Sequence, residues 1–190
     1  MKQKYCGLLN KGNACYVNAV VQALFHSHTI RKYILNLPQN LSCHRSVFSS
    51  GRSYSTTNSE EYLLAAIQQL FFQLCYSNET FLDPEEVLKS LGYSDSKALT
   101  ENDANETFKY ILDKLETVIR SKNQKSLFNN FKGIFMGTIS NYLYCSNCEK
   151  ENGSQENFID ILIPIKSSIF SSLASLIRPE IINDYRCKIC

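Results

Sequence analysis

Two pairs of cysteines have the spacing of a metal site. Cys145 and Cys148 form a Cys-x-x-Cys pair, and after 38 intervening residues Cys187 and Cys190 form a second pair. Two such pairs supply four thiolates, which is a tetrahedral ligand set for structural zinc. The spacing therefore predicts a structural Zn²⁺ site. The alternative is four surface thiols without a metal, which would be exposed to oxidation.

A further cysteine, Cys15, stands where a thiolate would be stabilised. Apolar residues at 14–27 repeat every three or four positions, which predicts a helix, and Asn13 is a suitable N-cap for it. Cys15 would then be the second residue of the helix, where free N–H groups and the positive end of the dipole favour a thiolate. A thiolate is the nucleophile of cysteine hydrolases. A lone cysteine near a helix start is, however, more often a small buried residue.

The composition excludes several function classes. The chain has 190 residues and 21.7 kDa, with 44% hydrophobic and 20% charged residues, which is typical of a globular domain. A net charge of +2 is too balanced to favour nucleic acid or an anionic membrane surface as a partner. The sequence has no apolar run of membrane-spanning length and no signal-peptide pattern at its start. We therefore expect a cytoplasmic or nuclear protein whose cysteines are reduced.

The elements that must hold these cysteines change type along the chain. Helices are predicted first, and strands follow them, an order that favours an α+β fold. The predicted helices cover 14–27, 60–76, 83–92 and a stretch after a Thr100–Asp103 capping box that ends near Arg120. The predicted strands cover 131–144 and 158–165, with a short helix at 171–178.

The segment around Cys15 carries a specific pattern. Residues 7–19 read GLLNKGNACYVNA and continue as VVQALF. This string resembles the Cys box of the ubiquitin-specific proteases, G-L-x-N-x-G-N-T-C-Y-M-N-S, with Ala14 in place of Thr and Val17 in place of Met. The resemblance implies that Cys15 attacks the carbonyl of the last glycine of ubiquitin and that Asn10 is the oxyanion-hole donor. From the residues alone, Asn10 can also be a turn residue that bonds to its own backbone.

A second block strengthens the resemblance. Residues 101–106 read ENDANE and residues 111–116 read ILDKLE, similar to the family's Q-Q-D-A-x-E-F and L-L-D-x-L-E helix. The resemblance implies that Asp103 and Glu106 contact the ubiquitin tail. Glu101 departs from the family's Gln, and Thr107 departs from its Phe. The alternative for Asp103 is an acidic residue at the third position of a helix.

The two cysteine pairs also fit this family. Residues 179–187 resemble the family's approach to its second pair, where a zinc ribbon closes the tip of the β-strand fingers that grip ubiquitin. The resemblance implies a papain-like cysteine peptidase. Residues 1–190 would be a partial catalytic domain, with a helical thumb at about 5–130 and the first part of the fingers at about 131–190. Ubiquitin and its conjugates would be the partners.

The histidines do not complete a catalytic set. Only His26, His28 and His44 are present, and the first two lie on the order of 15 Å from Cys15 along the predicted helix. In the family, the base comes from a His box far beyond the second zinc pair. We therefore expect a deubiquitinase fragment that lacks the palm and the catalytic His, and that is inactive by itself. One alternative is that the palm and its His lie on a second polypeptide. The others are a catalytically inactive ubiquitin-binding module and, less favoured by the balanced charge, a zinc-ribbon module for nucleic acid.

Overall fold

In the part of the chain that the structure describes, most helices precede an antiparallel β-hairpin, and one short helix follows it. The computed structural model describes residues 5–38, 59–93, 101–183, 185–187 and 189–190, and the chain divides into two units, Met1–Ile134 and Phe135–Cys190. In chain order the elements are β1 (Gly7–Leu8), α1 (Cys15–His26), α2 (His28–Leu35), α3 (Ser59–Tyr76), β2 (Phe81–Leu82), α4 (Glu85–Ser90), α5 (Ala104–Ser121), α6 (Lys125–Phe135), β3 (Gly137–Tyr144), β4 (Glu151–Phe158) and α7 (Ile169–Leu176). The predicted α+β class is confirmed.

The core of the first unit lies among α1, α3 and α5. Apolar residues recur every three or four positions in each helix and therefore share one face. Phe25 of α1 meets Phe71 of α3 edge to face, with ring centroids 5.4 Å apart. Burial of one such large apolar side chain contributes about 1.5–3 kcal/mol. The core side chains exposed by less than 2% include Val17, Val21, Leu63, Leu64, Ile67, Phe71, Ile111, Leu112, Leu115 and Ile119.

One buried polar side chain joins α2 to α3. The Gln68 amide, on a residue only 5% exposed, donates to the Ile34 carbonyl at 2.7 Å and to the Leu37 carbonyl at 2.9 Å. These carbonyls lie at the carboxyl-terminal end of α2, where main-chain acceptors lack partners within the helix. The Ile34 carbonyl also accepts from the Leu37 N–H at 3.2 Å, so Gln68 is a second donor to Ile34 and supplies a donor to the Leu37 carbonyl.

The helix starts correct two predictions. The N-cap of α1 is Ala14, with no side-chain cap bond, so Asn13 is not the cap and Cys15 is the first helical residue rather than the second. The N-cap of α5 is Asp103, whose carboxylate accepts from the Asn105 N–H at 2.7 Å. Asp103 is therefore not at the third helical position. Thr100, the first residue of the predicted capping box, lies outside the described residues.

The change from helix to strand comes later than predicted. Residues 131–135 belong to α6, and β3 begins at Gly137. The aromatic residues of this stretch favour strands by composition, but Leu127, Phe131 and Phe135 recur every four residues, which is a helical spacing. Phe131 is fully buried as a result. The periodicity outweighs the strand propensity of the individual residues.

An antiparallel hairpin forms most of the second unit. β3 pairs with β4 from Gly137 opposite Phe158 to Tyr144 opposite Glu151. The ring of Phe158 lies over Gly137, where a Cβ would overlap it. The second strand was predicted at 158–165, but it ends at Phe158, and residues 159–165 are not in a strand. Most residues of β4 are exposed, so no apolar alternation marked this strand in the sequence.

Shorter elements complete the description. The predicted 171–178 helix is present as α7, two residues earlier. The helix α2 and the two-stranded parallel pair β1–β2 were not predicted. No helix in the described ranges is both long and apolar enough to span a membrane.

Candidate active site and candidate metal centre

Cys15 lies at the amino-terminal end of α1 and is exposed to solvent. The helix begins there because Val17, Val20 and Val21 anchor its apolar face in the core. The first N–H groups of a helix have no acceptor within it and carry partial positive charge. An exposed thiol at this position can meet a substrate.

The segment before α1 is held against that helix. β1 pairs with β2, and the Leu9 N–H donates to the Leu82 carbonyl at 2.8 Å. From α1, the Asn18 side-chain amide donates to the Leu9 carbonyl at 3.1 Å, and the Gln22 amide donates to the Cys6 carbonyl at 3.2 Å. The chain between Cys6 and Leu9 is therefore bonded to β2 and to α1.

Asn10 lies in the turn between this strand and the helix. Its side chain is exposed and has no hydrogen-bond partner among residues that the structure describes. The turn passes through Gly12 at φ 64°, a conformation that glycine adopts without strain. The structure thus leaves the Asn10 amide open to solvent. The alternative in which its side chain bonds to its own turn finds no support among the described contacts.

Lys11 anchors the turn to the start of α4. Its ammonium lies 2.7 Å from Asp83 and 2.8 Å from Glu85. Hydrogen bonds from Lys11 and then from Lys89 lower the pKa of the Glu85 carboxyl to about 2. Hydrogen bonds to Asp83 and Glu85 in turn raise the pKa of Lys11 above its usual value. Lys11 and Glu85 are therefore both charged at neutral pH.

The segment 101–106 borders the start of α1. The Asn102 side-chain amide donates to the Tyr16 hydroxyl at 3.2 Å, and Tyr16 follows Cys15 directly. Tyr16 also meets Tyr93 edge to face, and burial raises the pKa of Tyr93 to about 12. Asp103 and Glu106 are both exposed. Sequence reasoning missed the role of Asn102, because its partner Tyr16 lies 86 residues away along the chain.

No histidine of the described chain lies beside Cys15. His26 ends α1, near Phe25 and Tyr5, and His28 starts α2. A helix of this length places His26 about 16 Å from Cys15. His44 lies outside the described residues.

The four cysteines of the two pairs come together in the second unit. Cys145 and Cys148 lie in the turn between β3 and β4, and all four Sγ atoms lie within 4.8 Å of one another. Sγ of Cys145 is 3.9 Å from Sγ of Cys190, and Sγ of Cys148 is 3.8 Å from Sγ of Cys187. Zinc–sulfur bonds of about 2.3 Å in a tetrahedron place sulfur atoms about 3.8 Å apart. The sulfur positions therefore fit a four-thiolate zinc site.

Main-chain N–H groups support thiolates in this cluster. The N–H groups of Cys190 and Ile189 lower the pKa of Cys187 to about 6, and those of Cys148 and Asn147 lower the pKa of Cys145. The Lys150 N–H lowers the pKa of Cys148, but burial and the neighbouring thiols outweigh it and raise that pKa to about 12. A metal-free cluster therefore retains a proton, which a bound cation would displace.

Comparison with known proteins identifies the family. The sequence profile of the ubiquitin carboxyl-terminal hydrolase family matches residues 6–183. The chain is 24% identical over 197 residues to ubiquitin carboxyl-terminal hydrolase 47 of Drosophila melanogaster, covering 98% of this chain and 12% of that protein. It is 25% identical over 185 residues to ubiquitin carboxyl-terminal hydrolase 5 of Schizosaccharomyces pombe, covering 96% of this chain and 15% of that protein.

A third relative gives the same result. Ubiquitin carboxyl-terminal hydrolase 15 of Saccharomyces cerevisiae is 26% identical over 181 residues, covering 94% of this chain and 13% of that protein. The chain thus spans about an eighth of the length of the curated relatives that it matches. The exposed cysteine at the start of α1 and the four-cysteine cluster both lie in or next to the matched range, and the chain belongs to the ubiquitin carboxyl-terminal hydrolase family.

Proposed function

We propose that this chain carries the nucleophile of a cysteine-dependent deubiquitinase that cleaves the bond after the carboxyl-terminal glycine of ubiquitin. The observation that carries the proposal is the exposed Cys15 at the first position of α1, within the family match at 6–183. The Cys15 thiolate attacks the glycine carbonyl carbon, the amine leaves with a proton, and water then hydrolyses the thioester.

Asn10 is proposed as the donor that stabilises the oxyanion. Its exposed amide has no competing partner in the described part of the chain. Asn10 lies five residues before Cys15 in the sequence. Loss of one such donor costs about 10²–10³ in kcat in other hydrolases.

The general base is proposed to come from outside these 190 residues. His26 and His28 lie at the far end of α1, and the relatives are about eight times longer than this chain. The absence of a described histidine near Cys15 also favours a second candidate, an inactive ubiquitin-binding module. The two differ in whether Cys15 reacts in the full-length protein.

Asp103 and Glu106 are proposed to contact ubiquitin. Both carboxylates are exposed at the start of α5, and Asn102 links this segment to Tyr16, beside the nucleophile. A substrate that reaches Cys15 would pass close to this segment. The Asp103 carboxylate already caps α5 and retains further acceptor capacity.

The four-cysteine cluster is proposed to hold one structural Zn²⁺. Two Sγ–Sγ distances of 3.8 and 3.9 Å support this ligand set. The metal would join Cys145 and Cys148 in the turn of the hairpin to Cys187 and Cys190 and so stabilise the second unit.

The test of the proposed function is covalent labelling of the full-length protein with ubiquitin that bears a thiol-reactive group at its carboxyl terminus. We expect labelling at Cys15 and its loss in Cys15→Ser, because a serine hydroxyl at this position stays protonated and reacts far more slowly. Cys75→Ser is the matched control, because Cys75 is also exposed and lies on α3. Labelling that persists in Cys15→Ser would contradict the assignment. Ubiquitin binding without Cys15 labelling would establish the second candidate.

A further inference from the structure

We propose that Asn18 is a positioning residue for the oxyanion donor, holding the peptide between Leu9 and Asn10 at a set distance from the nucleophile. The proposal rests on the proposed function of Cys15 and Asn10, and adds a residue with a specific task. The observation behind it is the hydrogen bond from the Asn18 side-chain amide to the Leu9 carbonyl, at 3.1 Å.

The nucleophile and this anchor lie on one face of α1. Cys15, Asn18 and Gln22 are spaced by three and four residues, and side chains at this spacing are neighbours on a helix. Asn18 bonds to the Leu9 carbonyl, and Gln22 bonds to the Cys6 carbonyl three residues earlier. The segment before the turn therefore runs along the same face that carries Cys15. Because Cys15 and Asn18 belong to one helix, the bond from Asn18 to the Leu9 carbonyl fixes the segment before Asn10 relative to Cys15.

The residues on either side of Asn10 are held, and Asn10 is not. The Leu9 N–H donates to the Leu82 carbonyl, and the Leu9 carbonyl accepts from Asn18. Lys11 is paired with carboxylates of β2–α4 at 2.7 and 2.8 Å. Asn10, between them, is exposed and has no partner in the described ranges. A backbone restrained on both sides of an unrestrained amide is the arrangement expected of a preorganised donor.

The chemistry of the bond fixes which end of Asn18 is used. The Leu9 carbonyl is an acceptor, so the Nδ2 end must face it. The Oδ1 end is then buried and has no donor among the residues that the structure describes, and the same is true of Oε1 of Gln22. A buried acceptor without a donor costs stability. Packing alone does not account for two buried amides that each lack a donor to their oxygen. Asn18 and Gln22 are accounted for by the hydrogen bonds that they donate to the Leu9 and Cys6 carbonyls.

The bond to Leu9 acts directly on the orientation of Asn10. The Leu9 carbonyl belongs to the same planar peptide unit as the Asn10 nitrogen. Fixing that plane removes one of the rotations that would change the direction of the Asn10 side chain. A displacement of about 1 Å in a catalytic group can cost about 10²-fold in rate, so a looser plane should reduce turnover without altering ubiquitin binding.

The experiment is a double-mutant cycle in the full-length protein, using a fluorogenic ubiquitin substrate. Asn18→Ala should lower kcat by about 10- to 100-fold with KM within about twofold of wild type. In the Asn10→Ala background the same substitution should lower kcat by less than about twofold, because no donor remains to be positioned. Asn18→Asp, which keeps the shape but cannot donate as a carboxylate, should be at least as damaging as Asn18→Ala. Asn36→Ala is the matched control, because Asn36 also donates to a main-chain carbonyl, that of Lys32 at 2.8 Å.

A second measurement decides the proposal without turnover. Hydrogen exchange at the Leu9 amide, which donates to the Leu82 carbonyl, should be faster in Asn18→Ala than in wild type and Asn36→Ala, while amides of the α3 core stay protected. Unchanged exchange would overturn the proposal even in a protein that hydrolyses nothing. Equal losses of kcat in both backgrounds, or a fully active Asn18→Asp, would overturn it in an active one. Failure of the proposed function would give a different result, namely turnover or labelling that does not depend on Cys15.

Discussion

Removal of one thiolate from the four-cysteine cluster should weaken zinc binding by a predictable factor. The sulfur atoms already stand 3.8 and 3.9 Å apart in two pairs, close to the spacing in a zinc tetrahedron, so little rearrangement is needed on binding. Apparent binding free energies of structural zinc sites are about 10–16 kcal/mol at pH 7. Shared over four ligands, this is about 2.5–4 kcal/mol each, or about 10²- to 10³-fold in affinity.

Cys187→Ser tests this magnitude directly. The full-length protein and the control Cys75→Ser should each contain about one zinc per chain after purification under reducing conditions. Cys187→Ser should lose zinc to a chromophoric chelator at concentrations about 10²- to 10³-fold lower. An affinity within about tenfold of the control would refute the four-thiolate assignment, as would elemental analysis that finds no zinc in the unsubstituted protein.

Three further predictions concern the contact between α2 and α3, the start of α5, and the activity of residues 1–190 alone. Gln68→Leu should lower the local free energy of unfolding of α2 and α3, measured by hydrogen exchange, by about 1–3 kcal/mol, because the buried Leu37 carbonyl loses its donor. Gln73→Leu, at an exposed position of α3, should have little effect, and equal effects would contradict this. Asp103→Asn should keep the cap of α5, since asparagine caps as well as aspartate, and should raise KM for a ubiquitin substrate; an unchanged KM would remove Asp103 from the ubiquitin contact. Residues 1–190 alone should show no turnover above a Cys15→Ala control, because no described histidine can protonate the leaving amine.

The helices of the first unit were predictable because burial imposes a period on the sequence. α1 was predicted at 14–27 and is found at Cys15–His26, and α3 was predicted at 60–76 and is found at Ser59–Tyr76. Each helix must place a continuous apolar face in the core, and this requirement is strong enough to mark the element. The caps are weaker signals, and Asn13 was wrongly taken as the N-cap of α1.

The second unit was predicted less well for a related reason. The hairpin is exposed along most of β4, so its residues need not alternate between apolar and polar. Its register depends on the turn that starts at Cys145, with the Cys145 N–H bonded to the Lys150 carbonyl. The two Cys-x-x-Cys pairs were nevertheless visible in the sequence, since a metal cluster depends on residue type and spacing rather than on periodicity.

The residues that support the candidate active site could not be predicted from pattern alone. Asn18, Gln22 and Asn102 each bond to a group brought close only by the fold: the Leu9 carbonyl, the Cys6 carbonyl and the Tyr16 hydroxyl. Such bonds between distant parts of the chain leave no period and no fixed spacing in the sequence.

Exposure separates two kinds of polar residue within the segment that resembles the Cys box. Asn18 and Lys11 have bonded side chains that restrain the turn, whereas Asn10 is exposed without a partner in the described chain and Cys15 is exposed at the start of α1. The sequence pattern alone does not distinguish the two residues with bonded side chains from the two that are exposed. The side chains that must react or donate to a transient charge are those that the fold leaves unengaged, because a group already bonded in the resting protein must break that bond before it can act. On this argument, substitutions at Asn10 and Cys15 should reduce the chemical step while leaving stability nearly unchanged, and substitutions at Asn18 and Lys11 should alter the dynamics of the turn.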